Sequence, residues 1–257
     1  TGAANFVASF ETVGNVDALW SSTDKLLVID SENVSHRFGL DVGAQTNDGE
    51  FSGILSPKSH VKYVVYANDL NDVSYDHETS AFSMEIPSVY NAYSANSLVT
   101  ANNAAIGILF GSEVNLKSVC GFIKFTLEPN GKTLDVDGVT HQLTDLKEIT
   151  MTAEDGKYLA GKITASWEEG QVSPVFTGIS EGSSSISFRT CTIALPDGRI
   201  YYEAGDYYIT GAPQNYEKIN VVVEDSQGNK ATAVRDRNLN VQTAALSDLN
   251  TISWPTI

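Results

Sequence analysis

Apolar and polar side chains alternate along most of the chain with a period of two residues, which is the pattern of β-strands that bury one face. Residues 116–127 show it most clearly: Val119, Ile123, Phe125 and Leu127 fall on one side, and the other side is mixed. This stretch is rich in β-branched and aromatic residues, which favour strands. It predicts a strand inside a layered β-structure, with one β unit before it and a second after it.

The part of the chain before this strand contains seven further apolar runs of strand length. A turn cluster at residues 111–113 then predicts a domain boundary, which gives units of residues 1–112 and 113–257. Because the cluster is not a true linker, we expect the two units to touch. The predicted strands of the first unit are residues 5–11, 25–30, 35–42, 51–55, 61–67, 82–86 and 104–110.

Asn-Gly and Asp-Gly pairs interrupt the second unit at short intervals, at residues 130–131, 137–138, 155–156 and 197–198. Such pairs supply the positive φ angles that tight hairpins require. Many short strands separated in this way are typical of a β-sandwich. No segment predicts a helix of three turns, and the expected fold class is therefore all-β.

The chain has 257 residues and a formal net charge of −16. This charge argues against nucleic acid as a partner, because the phosphate backbone would be repelled, and against docking on an anionic membrane surface. No run of 18 apolar residues predicts a transmembrane helix. No signal peptide is visible, so the protein is either cytosolic or has lost a targeting segment that preceded residue 1.

Only two cysteines are present, Cys120 and Cys191. This number excludes a small disulfide-framed domain and a zinc site made of cysteines. We expect two buried thiols, with a disulfide bond between them as the alternative in an oxidising compartment.

Two motifs with possible chemistry have simpler explanations. Residues 178–182 match the G-x-S-x-G nucleophile motif, but a strand pattern follows the serine and no histidine occurs after His141, so the general base is missing. Asp135 and Asp137 resemble part of a calcium loop, yet they lack the further ligands and fit a hairpin turn. The four histidines show no paired spacing. We predict no catalytic residue, no metal and no cofactor.

Two pairs of adjacent tyrosines flank a Gly-Asp turn: Tyr201 with Tyr202, and Tyr207 with Tyr208. Adjacent residues on a strand face opposite ways, so each pair offers at most one ring to solvent. Rings exposed in one plane would form an aromatic platform for sugar or protein. Packing inside the sheet is the alternative for all four.

The order of several motifs resembles that of the fimbrillin-like (Mfa-like) proteins. A first strand at residues 5–11 precedes a Trp-x-x-x-Asp-Lys-aliphatic segment at residues 20–26 and a Phe-x-Gly step at residues 51–53. The match continues through residues 63–67, 116–127, 149–162 and 205–213 to Trp254. Two positions differ from the family pattern: Asn68 stands where proline is usual, and Tyr90 stands where glutamine is frequent.

The resemblance implies two tandem transthyretin-like (Greek-key) β-sandwich domains in an exported surface lipoprotein of a Gram-negative outer membrane. It implies a non-enzymatic adhesion or fimbrial subunit, whose partners are other fimbrial subunits or ligands on host and other surfaces. The membrane would be reached only through a lipid anchor upstream of residue 1. Contacts between subunits would add a strand of one to a sheet of another. The predicted contact strand contains Phe6, Val7, Ala8 and Phe10.

Members of that family that polymerise lose their first strand by cleavage after a basic residue. Here the first basic residue is Lys25, so we expect residues 5–11 to be retained, and little chain follows Trp254 that could be donated. Both observations favour a tip, minor or non-polymerising subunit. The alternative functions are a surface glycan-binding module, which needs the aromatic platform, and a hydrolase, which needs a cleft with converging acids.

Overall fold

The structure is a computed structural model that describes residues 2–14, 16, 18–92, 94–96, 98–99, 103–168 and 170–255. All regular secondary structure in these residues is β, which confirms the predicted fold class. None of them forms a helix that is long and apolar enough to cross a membrane.

The described residues form 26 strands. The first thirteen are β1 Ala3–Phe10, β2 Ala18–Leu19, β3 Lys25–Asp30, β4 Ser35–Val42, β5 Asp48–Ile54, β6 Val61–Tyr66, β7 Ser74–Asp76, β8 Ala81–Ile86, β9 Val89–Asn91, β10 Leu98–Val99, β11 Ala105–Gly107, β12 Leu109–Phe110 and β13 Glu113–Ser118. The others are β14 Gly121–Leu127, β15 Thr133–Val136, β16 Val139–Thr144, β17 Leu146–Ala153, β18 Ala160–Ser166, β19 Val175–Ser183, β20 Ser185–Arg189, β21 Thr192–Ala194, β22 Ile200–Glu203, β23 Gly205–Gly211, β24 Asn215–Asp225, β25 Lys230–Asn240 and β26 Leu246–Ile252.

The first half of the chain is built on one sheet whose two ends meet. Its eight strands pair in the order β1-β5-β4-β3-β6-β11-β13-β12, and β1 also pairs with β13, in parallel, so that the seven strands other than β12 form a ring. The ring encloses Trp20, whose indole Nε1 donates a hydrogen bond to the Ala8 carbonyl at 3.0 Å. The sheet closes on itself because β1 pairs with both β5 and β13.

The remaining strands form smaller, open sheets. Three of them have the orders β25-β24-β17-β20-β9, with five strands, β19-β18-β8-β7, with four, and β23-β14-β26, with three. Their apolar faces share one large core, which extends to the outer face of the first sheet through Leu27, Ile29, Tyr63 and Val65. Strands β3 and β6 are therefore buried on both faces, as their uninterrupted apolar runs indicate.

Strand pairing does not follow the boundary predicted at residues 112 and 113. Strand β13 lies after it but completes the first sheet, whereas β7, β8 and β9 lie before it and join β18 and β20 of the second half. Residues 68–80, which lie between the predicted strands at 61–67 and 82–86, contain the additional strand β7. The division into two sandwich domains at this position stays a prediction.

The stretch at residues 116–127 is two strands rather than one. The chain bends at Val119 and Cys120, and Ser118 Oγ accepts a hydrogen bond from the Cys120 N–H at 3.3 Å. A Cβ on Gly121 would lie 2.4 Å from Val241 Cγ1, so only glycine permits the close approach of the segment between β25 and β26. This bend carries the chain from the first sheet, in β13, to a sheet of the second half, in β14.

Candidate functional site

The predicted contact strand, β1, lies inside the first sheet. It pairs with β5 over residues 3–9 and with β13 over residues 7–10, so residues 7–9 are paired on both sides. Phe6, Ala8 and Phe10 point into the core, and Val7 faces outward and is half-buried. As expected for a retained strand, its backbone is occupied within its own sheet. Its contact with other subunits stays a prediction.

Aromatic contacts hold β1 in place. The Phe6 ring stacks 5.5 Å from that of Phe38 and 6.5 Å from that of Phe51. The Phe10 ring lies 4.6 Å from that of Trp20. Such pairs contribute about 0.5–1.5 kcal/mol each beyond the burial of their area. Displacement of β1 by another strand would have to replace all of these contacts.

Strand β19 offers a free edge in the second half. It has nine residues, and within the described part of the chain it pairs only with β18, which leaves the other side of its backbone open. Residues 175–180 carry no charge, and no residue of β19 is fully buried. A long, uncharged edge of this kind is a template for another strand.

Strand β25 is the other long edge, with eleven residues paired only with β24. Both edges contain bulges in their pairing. Strand β25 differs because Lys230, Arg235, Asp236 and Arg237 place charges along it. Charged side chains on an edge disfavour pairing with a further strand. Of these two edges, β19 is the one suited to strand addition.

The four tyrosines do not form an aromatic platform. Tyr207 is buried, and its hydroxyl donates a hydrogen bond to the Glu203 carbonyl at 2.7 Å. Tyr208 is half-buried against the core of the first half. Tyr201 and Tyr202 are half-buried and adjacent on β22, so they face opposite ways. The predicted platform of Tyr201, Tyr202, Tyr207 and Tyr208 is wrong for Tyr207, because β23 turns this ring into the core.

Both cysteines are buried thiols with no disulfide bond, which confirms the first expectation for them. Cys191 lies near Glu203, which also contacts His141 at 2.7 Å between Oε1 and Nδ1. Burial, followed by the charge and hydrogen bond of Glu203, raises the pKa of the Cys191 thiol to about 11. Burial likewise raises the pKa of the Cys120 thiol. At neutral pH both remain protonated, whereas a nucleophilic cysteine needs the thiolate.

A Ser-His-Asp cluster lies at the end of β3. Asp30 is fully buried, and its carboxylate accepts hydrogen bonds from Val34 N–H at 3.0 Å, Ser59 Oγ at 3.0 Å and His36 Nε2 at 2.8 Å. Burial by itself raises the pKa of this carboxyl. The hydrogen bonds outweigh burial, above all those of Ser56 and His36, and hold the pKa well below its usual value.

This cluster cannot act as a proton relay. A catalytic triad requires the acid on one imidazole nitrogen and the nucleophile on the other. Here Ser56 Oγ, at 3.5 Å, and the Asp30 carboxylate both reach the same nitrogen, Nε2 of His36. The cluster instead fixes the turn between β3 and β4.

The remaining motifs also have structural roles. Ser180 of the G-x-S-x-G match is exposed on the edge strand β19, and a strand rather than a helix follows. Asp135 accepts a hydrogen bond from Thr140 across the β15–β16 hairpin, whose turn contains Asp137 with φ of 48°. Within the described part of the chain, no group of three or more His, Cys, Asp or Glu side chains is placed to hold a metal ion.

Phe110 is an exposed aromatic residue that the alternation pattern placed in a buried strand. It ends β12 and is 90% exposed beside the turn to β13. Ile108, two residues earlier, is also exposed. The turn signal at Gly111 indicates that Phe110 ends its strand, next to an exposed turn.

Two solved structures share the fold over almost the full length of the chain. A candidate cell adhesion protein from Bacteroides ovatus has a TM-score of 0.51 at 12% sequence identity, with 96% of this chain and 91% of that chain covered. Another, from Bacteroides uniformis, has a TM-score of 0.50 at 9% identity, with 98% and 93% covered. No family model and no curated protein matches the chain significantly. The chain thus has the fold of candidate cell adhesion proteins of Bacteroides.

Proposed function

We propose that the chain is a non-enzymatic subunit of a cell-surface adhesion or fimbrial assembly. The likeness of the whole chain to two candidate cell adhesion proteins is the observation that carries this proposal. Its partners are other subunits or ligands on neighbouring surfaces. In agreement with the fimbrillin-like resemblance, the proposal includes export as a lipoprotein to the outer membrane. It also includes two transthyretin-like sandwiches, which the two clusters of buried apolar side chains support.

Within such an assembly, we assign the chain a tip, minor or non-polymerising position. The pairing of β1 on both sides supports this assignment, because an occupied sheet leaves no groove for the strand of another subunit. Strand-mediated contacts would then use the open edge of β19.

Labelling of intact cells tests the proposed function. Gold-conjugated antibodies against the chain should decorate the outer surface or its fibres in the bacterium that encodes it, and a deletion strain should lose both the label and adherence. An antibody against a cytosolic protein serves as the control. Label found only after cell lysis would overturn the proposal.

Removal of residues 1–11 tests the role of β1 in closing the first sheet. Without β1, the edges of β5 and β13 and the rings of Phe38 and Phe51 become exposed, so we expect concentration-dependent oligomers by sedimentation. A synthetic peptide of residues 2–11 should restore the monomer, and a scrambled peptide should not. A stable monomer without any peptide would contradict the proposal that β1 is retained and closes the groove between β5 and β13.

A further inference from the structure

A cavity of about 480 Å³ opens between the start of β19 and the end of the β24–β25 hairpin. Its volume lies in the range of small-ligand sites. Ten residues line it and none is charged, although the chain has 32 acidic and 16 basic residues. An uncharged lining in so acidic a protein offers no counter-ion to an anionic group and therefore favours a neutral ligand.

Amide side chains supply the polar part of the lining. Asn215 and Asn240 stand directly opposite each other in the register of β24 and β25, so their side chains share one face with Cβ atoms about 5 Å apart. Gln242 follows two residues after Asn240. All three are exposed, and among the described residues none hydrogen-bonds to their amide groups. Each amide therefore has a donor and an acceptor available to a ligand.

Apolar side chains supply much of the rest of the lining. Val175 is exposed, and Phe176 is half-buried with its body against the large core. Pro174 and Val241 are buried. The cavity therefore offers apolar surface from Val175 and Phe176 together with the hydrogen-bonding groups of the amides.

We propose that this cavity binds a neutral sugar. A pyranose ring presents C–H groups on its faces, which suit Val175 and Phe176, and neighbouring hydroxyls on its rim, which donate and accept as the amides of Asn215 and Asn240 do. Sialylated and sulfated sugars are disfavoured, because the lining has no cation and the net charge of the chain is −16. The site is separate from the tyrosines of β22 and β23 and does not require the chain to be a fimbrial subunit.

An array of neutral, sialylated and sulfated oligosaccharides, probed with the intact chain, tests the proposal. We expect binding to neutral members and none to the charged ones. The double variant Asn215→Ala/Asn240→Ala should weaken binding about tenfold or more, since it removes the hydrogen bonds of both amides. Both side chains are exposed, so the melting temperature should not change.

Asn238→Ala is the matched control, because Asn238 is exposed on the same strand but does not line the cavity. Its binding should equal that of the unchanged chain. Three results would overturn the proposal: no neutral oligosaccharide binds, the double variant binds as well as the unchanged chain, or the Asn238 variant loses as much affinity. Failure of the array with surface labelling intact would remove the sugar site and leave the proposed function standing.

Discussion

In the first half of the molecule seven strands pair in a ring, whereas in the second half β19 and β25 each have a partner on one side only. A ring leaves no row of unpaired backbone groups, and an open sheet leaves two. The first half can therefore accept a further strand only after β1 leaves, at the expense of its aromatic contacts. The second half can accept one in its folded state.

The two halves also contain the same turn in different surroundings. Asp30 and Asp225 each cap a hairpin by accepting hydrogen bonds from the N–H groups two and four residues later, with distances of 2.9 and 3.0 Å for Asp30 and 2.8 and 2.9 Å for Asp225. Asp30 is fully buried, and Asp225 lies near the surface. The same aspartate-capped turn can thus be compared in the closed first sheet, at Asp30, and in an open sheet of the second half, at Asp225.

Truncation of one phenylalanine in each half should give the largest contrast. Phe6→Ala removes a ring that is 4% exposed on β1 and should lower the free energy of unfolding by about 4 kcal/mol. Phe176→Ala, on the edge strand β19, should lower it by roughly half as much, because that ring is only half-buried. Urea denaturation followed by tryptophan fluorescence measures both. Equal losses would mean that Phe6 on β1 of the closed sheet contributes no more to stability than Phe176 on the edge strand β19.

Neutralisation of the two turn aspartates is expected to have the next largest effect. Asp30→Asn weakens charge-assisted hydrogen bonds in a buried site and should lower the free energy of unfolding by about 3 kcal/mol. Asp225→Asn changes the same motif at the surface, where water replaces lost hydrogen bonds, and its effect should be much smaller. Chemical denaturation of both variants at pH 7 measures the difference. A larger loss for Asp225→Asn would show that burial does not set the strength of this turn.

The same pair predicts a dependence on acid pH. The pKa of the Asp30 carboxyl is lower in the folded chain than in the unfolded chain, where it has its ordinary value of 3.8. The contribution of Asp30 to the free energy of unfolding is therefore complete above pH 3.8 and is lost as the pH falls through the folded pKa. Asp30 should account for a loss of about 2 kcal/mol between pH 4 and pH 2. Thermal unfolding across this range should show a shallower decline for Asp30→Asn than for the unchanged chain. A parallel decline in the two proteins would contradict the assignment.

The sequence predicts the class of fold well, because alternation reports directly which strand face is buried. It predicts the partners of strands poorly. Nothing local to residues 82–86 shows that β8 pairs with β18, since the pairing depends on how distant segments pack. The sequence also does not predict the bend at residues 119–120. Glycine is required at position 121 because Val241, which is distant in the sequence, packs closely against it.

The candidate sites show the same limit. Alternation correctly indicates that Tyr207 and Tyr208 face opposite ways, but it does not say which of them meets the core. The charge-free run of β19 is visible in the sequence, whereas its position at an edge is not. The cavity near Asn240 joins residues from three separate segments, so no single motif could reveal it.

The two open edges can be compared by placing a lysine on each. Thr177 on β19 and Thr232 on β25 are both exposed, so Thr177→Lys and Thr232→Lys should each change the free energy of unfolding by less than about 0.5 kcal/mol. Their effects on association should differ. If copies of the intact chain, monomeric at low concentration, associate at high concentration through this uncharged edge, Thr177→Lys should weaken that association in sedimentation equilibrium about tenfold, or ~1.4 kcal/mol. Thr232→Lys should leave it unchanged, because β25 already carries charges. Equal weakening by the two lysines would mean that net charge, and not the edge of β19, controls how copies of the chain meet.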